Sequence, residues 1–140
     1  MNTPFFFFGS LRDPLILEAV LGRDLSHLTF ADAWAPDFRT ERAAGYSFPL
    51  LRPALGNRAP GLLTWGLTAK DQARITYFED SEYALAAGTV ETSAGPCRAQ
   101  FYDASGKLGS SGELWDLAAF QRDDKPLLLA VTQYVMTEHY

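Results

Sequence analysis

The chain has 140 residues, 47% of them hydrophobic and 21% charged, with a formal net charge of −5. That length and balance predict one globular domain spanning residues 1–140, with enough apolar side chains for a real core. The acidic balance argues against nucleic acid as a partner, and no apolar run approaches the roughly 18 residues that a helix needs to cross a bilayer.

The N-terminal residues carry no basic stretch leading into an apolar run and a cleavage site, which predicts a cytoplasmic protein. The one cysteine, Cys97, cannot staple the fold and is read as a small core residue. His27 and His139 are the two histidines. So few make a Ser-His-Asp triad or a His-rich metal site a poor reading.

In chain order, the first element is the run Phe5 to Phe8. Four successive aromatic residues suit a strand buried on both faces. The run stops at Gly9-Ser10, and Asp13-Pro14 opens a helix, with Asp as N-cap and Pro at the first helical position. Leu15, Ile16, Ala19 and Val20 continue the helix at the right spacing, and Gly22 ends it. A buried strand that turns through Gly into a helix leaves backbone N–H groups free, a natural cradle for a carboxylate or an oxyanion. The stretch lacks the G-x-x-x-x-G-K-[ST] spacing of a phosphate loop and the G-x-S-x-G spacing of a nucleophile elbow.

Between about Leu25 and Leu67 the pattern changes to short strands: Leu28–Trp34, Phe38–Arg42, Phe48–Leu51 and Leu62–Leu67. Pro36, Gly45, Pro49, Pro53, Gly56-Asn57 and Pro60-Gly61 punctuate them. Many short strands separated by turns predict an antiparallel sheet curled into a barrel. Thr68-Ala-Lys-Asp71 has the capping-box form and starts a second helix over about 69–78. Glu79 falls at its end, four residues after Ile75, where it continues a partly apolar stripe. Strands follow at Tyr83–Thr92 and Cys97–Tyr102, joined by a hairpin turn at Ser93–Pro96. Lys107–Gly112 reads as a Gly/Ser loop, and two helical patterns, Glu113–Phe120 and Pro126–Met136, close the chain. Trp34, Trp65 and Trp115 are read as core or rim aromatics.

Three of these stretches occur in an informative order. Phe8-Gly-Ser-Leu11 ends an aromatic strand, Pro60-Gly-Leu62 lies near mid-chain, and Phe78-Glu79-Asp80-x-x-Tyr83 follows. Over residues 4–103 this resembles the gamma-glutamylcyclotransferase-like family, also called AIG2-like. The resemblance implies an α+β fold, a small antiparallel β-barrel with flanking helices. It also implies that Phe8, Gly9, Ser10 and Leu11 bind the γ-glutamyl group and that Glu79 is the acid/base catalyst. Tyr83 is a further candidate for substrate contact. The implied reaction is release of 5-oxoproline and a free amine or amino acid from a γ-glutamyl compound, with no metal and no cofactor. Three positions depart from the family pattern: Phe8 stands for Tyr, Asp80 for Gly, and Ile75-Thr76 for Leu-Asp. These departures leave a second reading in play, a barrel that binds a small molecule or a protein without turnover.

Overall fold

The computed structural model describes residues 3–79, 83–104 and 108–139. The elements are β1 (Phe5–Phe7), a 3₁₀ turn (Ser10–Arg12), α1 (Pro14–Leu21), β2 (Thr29–Ala43) and β3 (Pro49–Trp65). They are followed by α2 (Ala69–Glu79), β4 (Ala84–Thr92), β5 (Gly95–Asp103), β6 (Ser110–Leu114), α3 (Leu117–Asp123) and α4 (Lys125–Tyr134). A short π-helical segment, Val135–His139, continues α4.

The strands run in the order β3-β1-β5-β4-β2, and the β2–β3 ladder closes the ring, giving a five-stranded barrel flanked by four helices. The fold is α+β, as expected. Most pairings are antiparallel, but β1 and β5 run parallel, with Phe5 opposite Gln100, so the barrel is mixed. Gln100 N–H donates to the Pro4 carbonyl at 2.9 Å across that junction.

The four phenylalanines explain why β1 sits at the centre. Alternate side chains of a strand point to opposite faces. Phe6 and Phe8 pack with Ala33, Ala35, Leu51, Leu63, Val90 and Ala99 inside the barrel. Phe5 and Phe7 pack on the other side against Ile16, Leu17 and Val20 of α1 and Ile75 of α2. Both faces are therefore buried. The fit is tight where β1 crosses β3: a Cβ on Gly61 would lie 2.4 Å from the Phe6 ring and 2.7 Å from the Phe7 carbonyl. The glycine of Pro60-Gly-Leu62 is required by that close approach.

The region read as four short strands is two long ones. β2 and β3 pair from Thr29↔Trp65 to Arg42↔Pro49, with a bulge between Pro36 and Phe38. At the bulge Asp37 has φ 62°, and its carboxylate accepts from the Gly56 amide at 2.9 Å. The bulge bends the strand and does not end it. β3 pairs with β1 only at Leu62–Thr64, so its first part has an edge where prolines forfeit no ladder bond. The Gly/Ser stretch expected to be a loop instead contributes β6, which adds to β2 at Glu41↔Leu114 and Ala43↔Ser110. Lys107 of that stretch lies outside the described residues.

Both helix starts obey the expected capping chemistry. The Asp13 carboxylate accepts from the amides of Leu15 (2.9 Å) and Ile16 (3.2 Å), and Gly22 closes α1 with φ 73°. Thr68 and Asp71 bond reciprocally at 3.0 and 3.1 Å. The first tail helix starts later than the pattern suggested, at Leu117, and the second starts one residue earlier, at Lys125. Cys97 is half-buried at the margin of the barrel core. Among the described residues no helix is long and apolar enough to cross a membrane.

Candidate functional site

The site lies at the end of the barrel where β1 gives way to the 3₁₀ turn. Within that turn, Arg12 N–H donates to the Gly9 carbonyl (3.1 Å) and Asp13 N–H to the Ser10 carbonyl (3.0 Å). The amides of Ser10 and Leu11 stand outside those bonds, as the leading amides of any helical turn do. Gly9 has φ −125° and ψ −140°, and a Cβ there would press on the Pro49 ring at 3.1 Å. Gly9 thus brings the turn against the start of β3. Leu11 is buried and fixes the turn to the core beneath α1.

Helix α2 delivers Glu79 to the same place. Its first turn is clamped by Asp71, whose carboxylate also meets Arg23 Nη2 and His27 Nε2, each at 2.9 Å. His27 therefore has a structural partner at the far end of α2. In the middle of the helix Ile75 is wholly buried, and Arg74 Nε donates to the Val20 carbonyl of α1 at 2.7 Å. With the helix held at two levels, its C-terminal residue Glu79 projects over the mouth of the barrel.

Phe8, Gly9, Ser10, Leu11, Glu79 and Tyr83 all line one cleft of about 380 Å³, measured out to its opening. All six candidate residues are brought together, although some 70 positions separate Ser10 from Glu79. Phe6, Phe7, Phe48, Pro49 and Tyr102 complete the walls. Sequence reasoning did not single out these five as site residues. Phe6 and Phe7 belong to a run whose burial alone explains them, and Phe48-Pro49 looked like an ordinary strand start. Tyr102 reaches the cleft because β5 lies beside β1 in parallel register, a non-local pairing with no local signal.

Glu79 has no hydrogen bond or ion pair from any described residue, and the walls around it are largely aromatic. Burial with nothing to offset it pushes its carboxyl up to about 8, because an apolar setting disfavours the charged form. The rings of β1 and Phe48 line the cleft beside it, and Phe78 lines the hollow on its other side. Asp80 and Glu82 lie outside the described residues. Tyr102 donates to or accepts from Thr76 Oγ1 at 2.7 Å. Its hydroxyl is pushed up by burial and by the nearby Glu79 charge. Its ring stacks on Phe5 at 5.8 Å. Phe8, which lacks the hydroxyl of the family pattern, packs its ring on Phe101 at 6.4 Å. Among the described residues no cluster of three or more His, Cys, Asp or Glu is placed to hold a metal.

A carboxyl that titrates near neutrality, beside free backbone amides in a small cleft, can exchange protons and hold an anionic group. No family model matches the sequence, and no curated protein is significantly similar to it. Solved structures do match. The chain superposes on an Arabidopsis thaliana protein with TM-score 0.67 and 20% identity, over 96% of this chain and 90% of that one. It superposes on a gamma-glutamyl cyclotransferase with TM-score 0.57 and 16% identity, over 77% and 69% of the two chains. An uncharacterised Pyrococcus horikoshii protein matches with TM-score 0.51 and 17% identity, over 86% and 96%. The chain has the gamma-glutamyl cyclotransferase-like fold.

Proposed function

We propose that the protein is a gamma-glutamyl cyclotransferase of the AIG2-like kind, releasing 5-oxoproline and an amine from a γ-glutamyl compound. The observation that carries this reading is the half-buried Glu79 carboxyl, raised to about 8 by its apolar surroundings, in one cleft with the Gly9–Leu11 turn.

The chemistry follows from the arrangement. The Ser10 and Leu11 amides receive anionic oxygen, either the substrate's α-carboxylate or the oxyanion formed at the γ-carbonyl. A substrate α-ammonium beside Glu79 favours the carboxylate form, so binding lowers the carboxyl pKa towards that of a working base. Glu79 takes one proton from the ammonium, and the freed amine attacks the γ-carbonyl carbon. The new C–N bond closes the five-membered ring. Glu79 then gives its proton to the leaving nitrogen as the old C–N bond breaks, and the surplus proton on the ring nitrogen ends on the released amine. Because nucleophile and electrophile belong to one molecule, holding it folded supplies much of the acceleration. Phe8 and Tyr83 would frame the folded γ-glutamyl group.

The experiment is a panel of γ-glutamyl amino acids, γ-glutamyl amines and glutathione, incubated with the purified protein and assayed for 5-oxoproline. Turnover of at least one class is expected. Binding without any 5-oxoproline would replace the enzyme reading with that of a non-catalytic binding barrel.

A further inference from the structure

Glu79 stands between two hollows. Ser10, Phe48, Glu79 and Tyr83 line both the inner cleft and a second, outer hollow of about 730 Å³. The outer one adds Tyr46, Ser47, Phe78, Phe120 and Leu128. We propose that the outer hollow receives the departing amine and selects γ-glutamyl amides of apolar, aromatic amines over γ-glutamyl amino acids. The proposal rests on the cyclotransferase reading and names its substrate class.

The geometry of the reaction assigns the two sides. The γ-glutamyl part must lie against the backbone amides of the 3₁₀ turn, which border the inner cleft. Glu79 must reach the attacking nitrogen and the leaving nitrogen, so the leaving group lies on the other side of the carboxyl. Measured the same way, out to their openings, the outer hollow is about twice the inner cleft, 730 Å³ against 380 Å³, so a bulky leaving group is better housed on the outer side.

The chemistry of the outer hollow selects what enters. Tyr46, Phe48 and Tyr83 form a chain of rings, with centroids 4.8 Å and 5.6 Å apart. Phe120 forms part of the wall and is itself fixed by Trp115 at 5.8 Å, whose Nε1–H donates to the Ser47 carbonyl at 2.8 Å. A rigid aromatic wall of this kind favours a flat apolar guest. An amino-acid leaving group carries a carboxylate, which needs a cation or a set of donors. Among the described residues no Lys or Arg lines either hollow. Arg42, close to the rim, already donates to the Tyr46 carbonyl and meets Asp124, each at 3.4 Å. A carboxylate there would also face Glu79 and a chain of net charge −5. A neutral aromatic amide avoids both costs, and the protonated amine it releases leaves an acidic protein as a cation.

The test compares kcat/KM for 5-oxoproline release from γ-glutamyl phenethylamide, γ-glutamyl methylamide, γ-glutamylglycine and γ-glutamylphenylalanine. The phenethylamide should exceed each of the others by about tenfold or more, the scale of a hydrophobic pocket's discrimination. Tyr46 is 47% exposed, so Tyr46→Ala should fold, and it should shrink the phenethylamide-to-methylamide ratio by roughly threefold to tenfold. Equal or better turnover of the γ-glutamyl amino acids would overturn the amine assignment and leave the cyclotransferase reading standing. An unchanged ratio in Tyr46→Ala would overturn the placement of the amine. If no compound yields 5-oxoproline, the cyclotransferase reading fails, and equilibrium titration with the phenethylamide and γ-glutamylglycine decides the recess. Tighter binding of the phenethylamide would support an aromatic recess, and equal or weaker binding would overturn it.

Discussion

Replacing Glu79 by Gln should stabilise the protein in a way that depends on pH. The carboxyl is raised from 4.5 to about 8 by burial. At about 1.36 kcal/mol per pKa unit, that rise caps the cost of ionising Glu79 in the folded chain at about 5 kcal/mol. Gln keeps the size and leaves a neutral amide, which also lacks partners, so a net gain of about 2–4 kcal/mol at high pH is the realistic expectation. The sign follows from linkage. Between pH 4.5 and about 8 the folded state holds a proton on Glu79 that the unfolded state has lost. Stability from this group is therefore fully present below the unfolded value and falls as pH rises through the folded one. The assay is urea unfolding of both proteins across that window, with the difference plotted against pH. The other carboxylates cancel between the two chains. The difference should be near zero at the acid end, grow through the window and level off above it. Thermal midpoints should separate by roughly 3–5 °C for each kcal/mol. A difference that stays flat with pH would refute the burial of Glu79.

Three further outcomes follow from the site and the strand that carries it. Ser10→Pro removes one of the two amides that the 3₁₀ turn leaves unused, so ligand affinity should fall about tenfold with the barrel intact; unchanged affinity by titration would discount the backbone cradle. Gly61→Ala would put a Cβ 2.4 Å from the Phe6 ring. It should cost about 3 kcal/mol, near 10 °C in the melting midpoint, and a shift under about 2 °C would show that β1 and β3 are less tightly fitted. Finally, log kcat/KM should rise with unit slope as pH increases and level near pH 8, where the free Glu79 ionises; a profile flat from pH 6 upward would mean the base titrates elsewhere.

What was legible in the sequence was local. The aromatic run of β1 announced a strand buried on both faces, and the Phe5/Phe7 and Phe6/Phe8 partition shows why. Asp13, Gly22 and the Thr68–Asp71 pair marked helix ends through side-chain and φ preferences that act within four residues. What escaped depended on pairing at long range. The β2–β3 ladder runs on through Asp37 and Pro53 because a bulge absorbs the irregularity, whereas proline and glycine counted one by one read as stops. Ser110–Leu114 became a strand because β2 offered it an edge, with Ser110 Oγ bonded to Glu41 and Ser111 Oγ to the Arg42 carbonyl at 2.9 Å. The site divides along the same line. The Gly9–Leu11 turn and Glu79 were named from short motifs, while Tyr102, Phe48 and Pro49 enter the cleft through strand register that no local pattern encodes.

The central claim is that Glu79 moves the protons of a cyclisation. Glu79→Gln keeps the side chain's size and its hydrogen-bonding capacity but cannot exchange a proton. General acid–base assistance is worth about 10²- to 10⁴-fold, and a group used in two proton transfers should lie near the upper figure. The measurement is the rate of 5-oxoproline release by the variant and the native chain, on whichever γ-glutamyl compound the native chain turns over best. The account predicts a loss near 10⁴-fold in kcat, with substrate still bound and the fold at least as stable. A Gln variant that cyclised substrate at close to the native rate would contradict it.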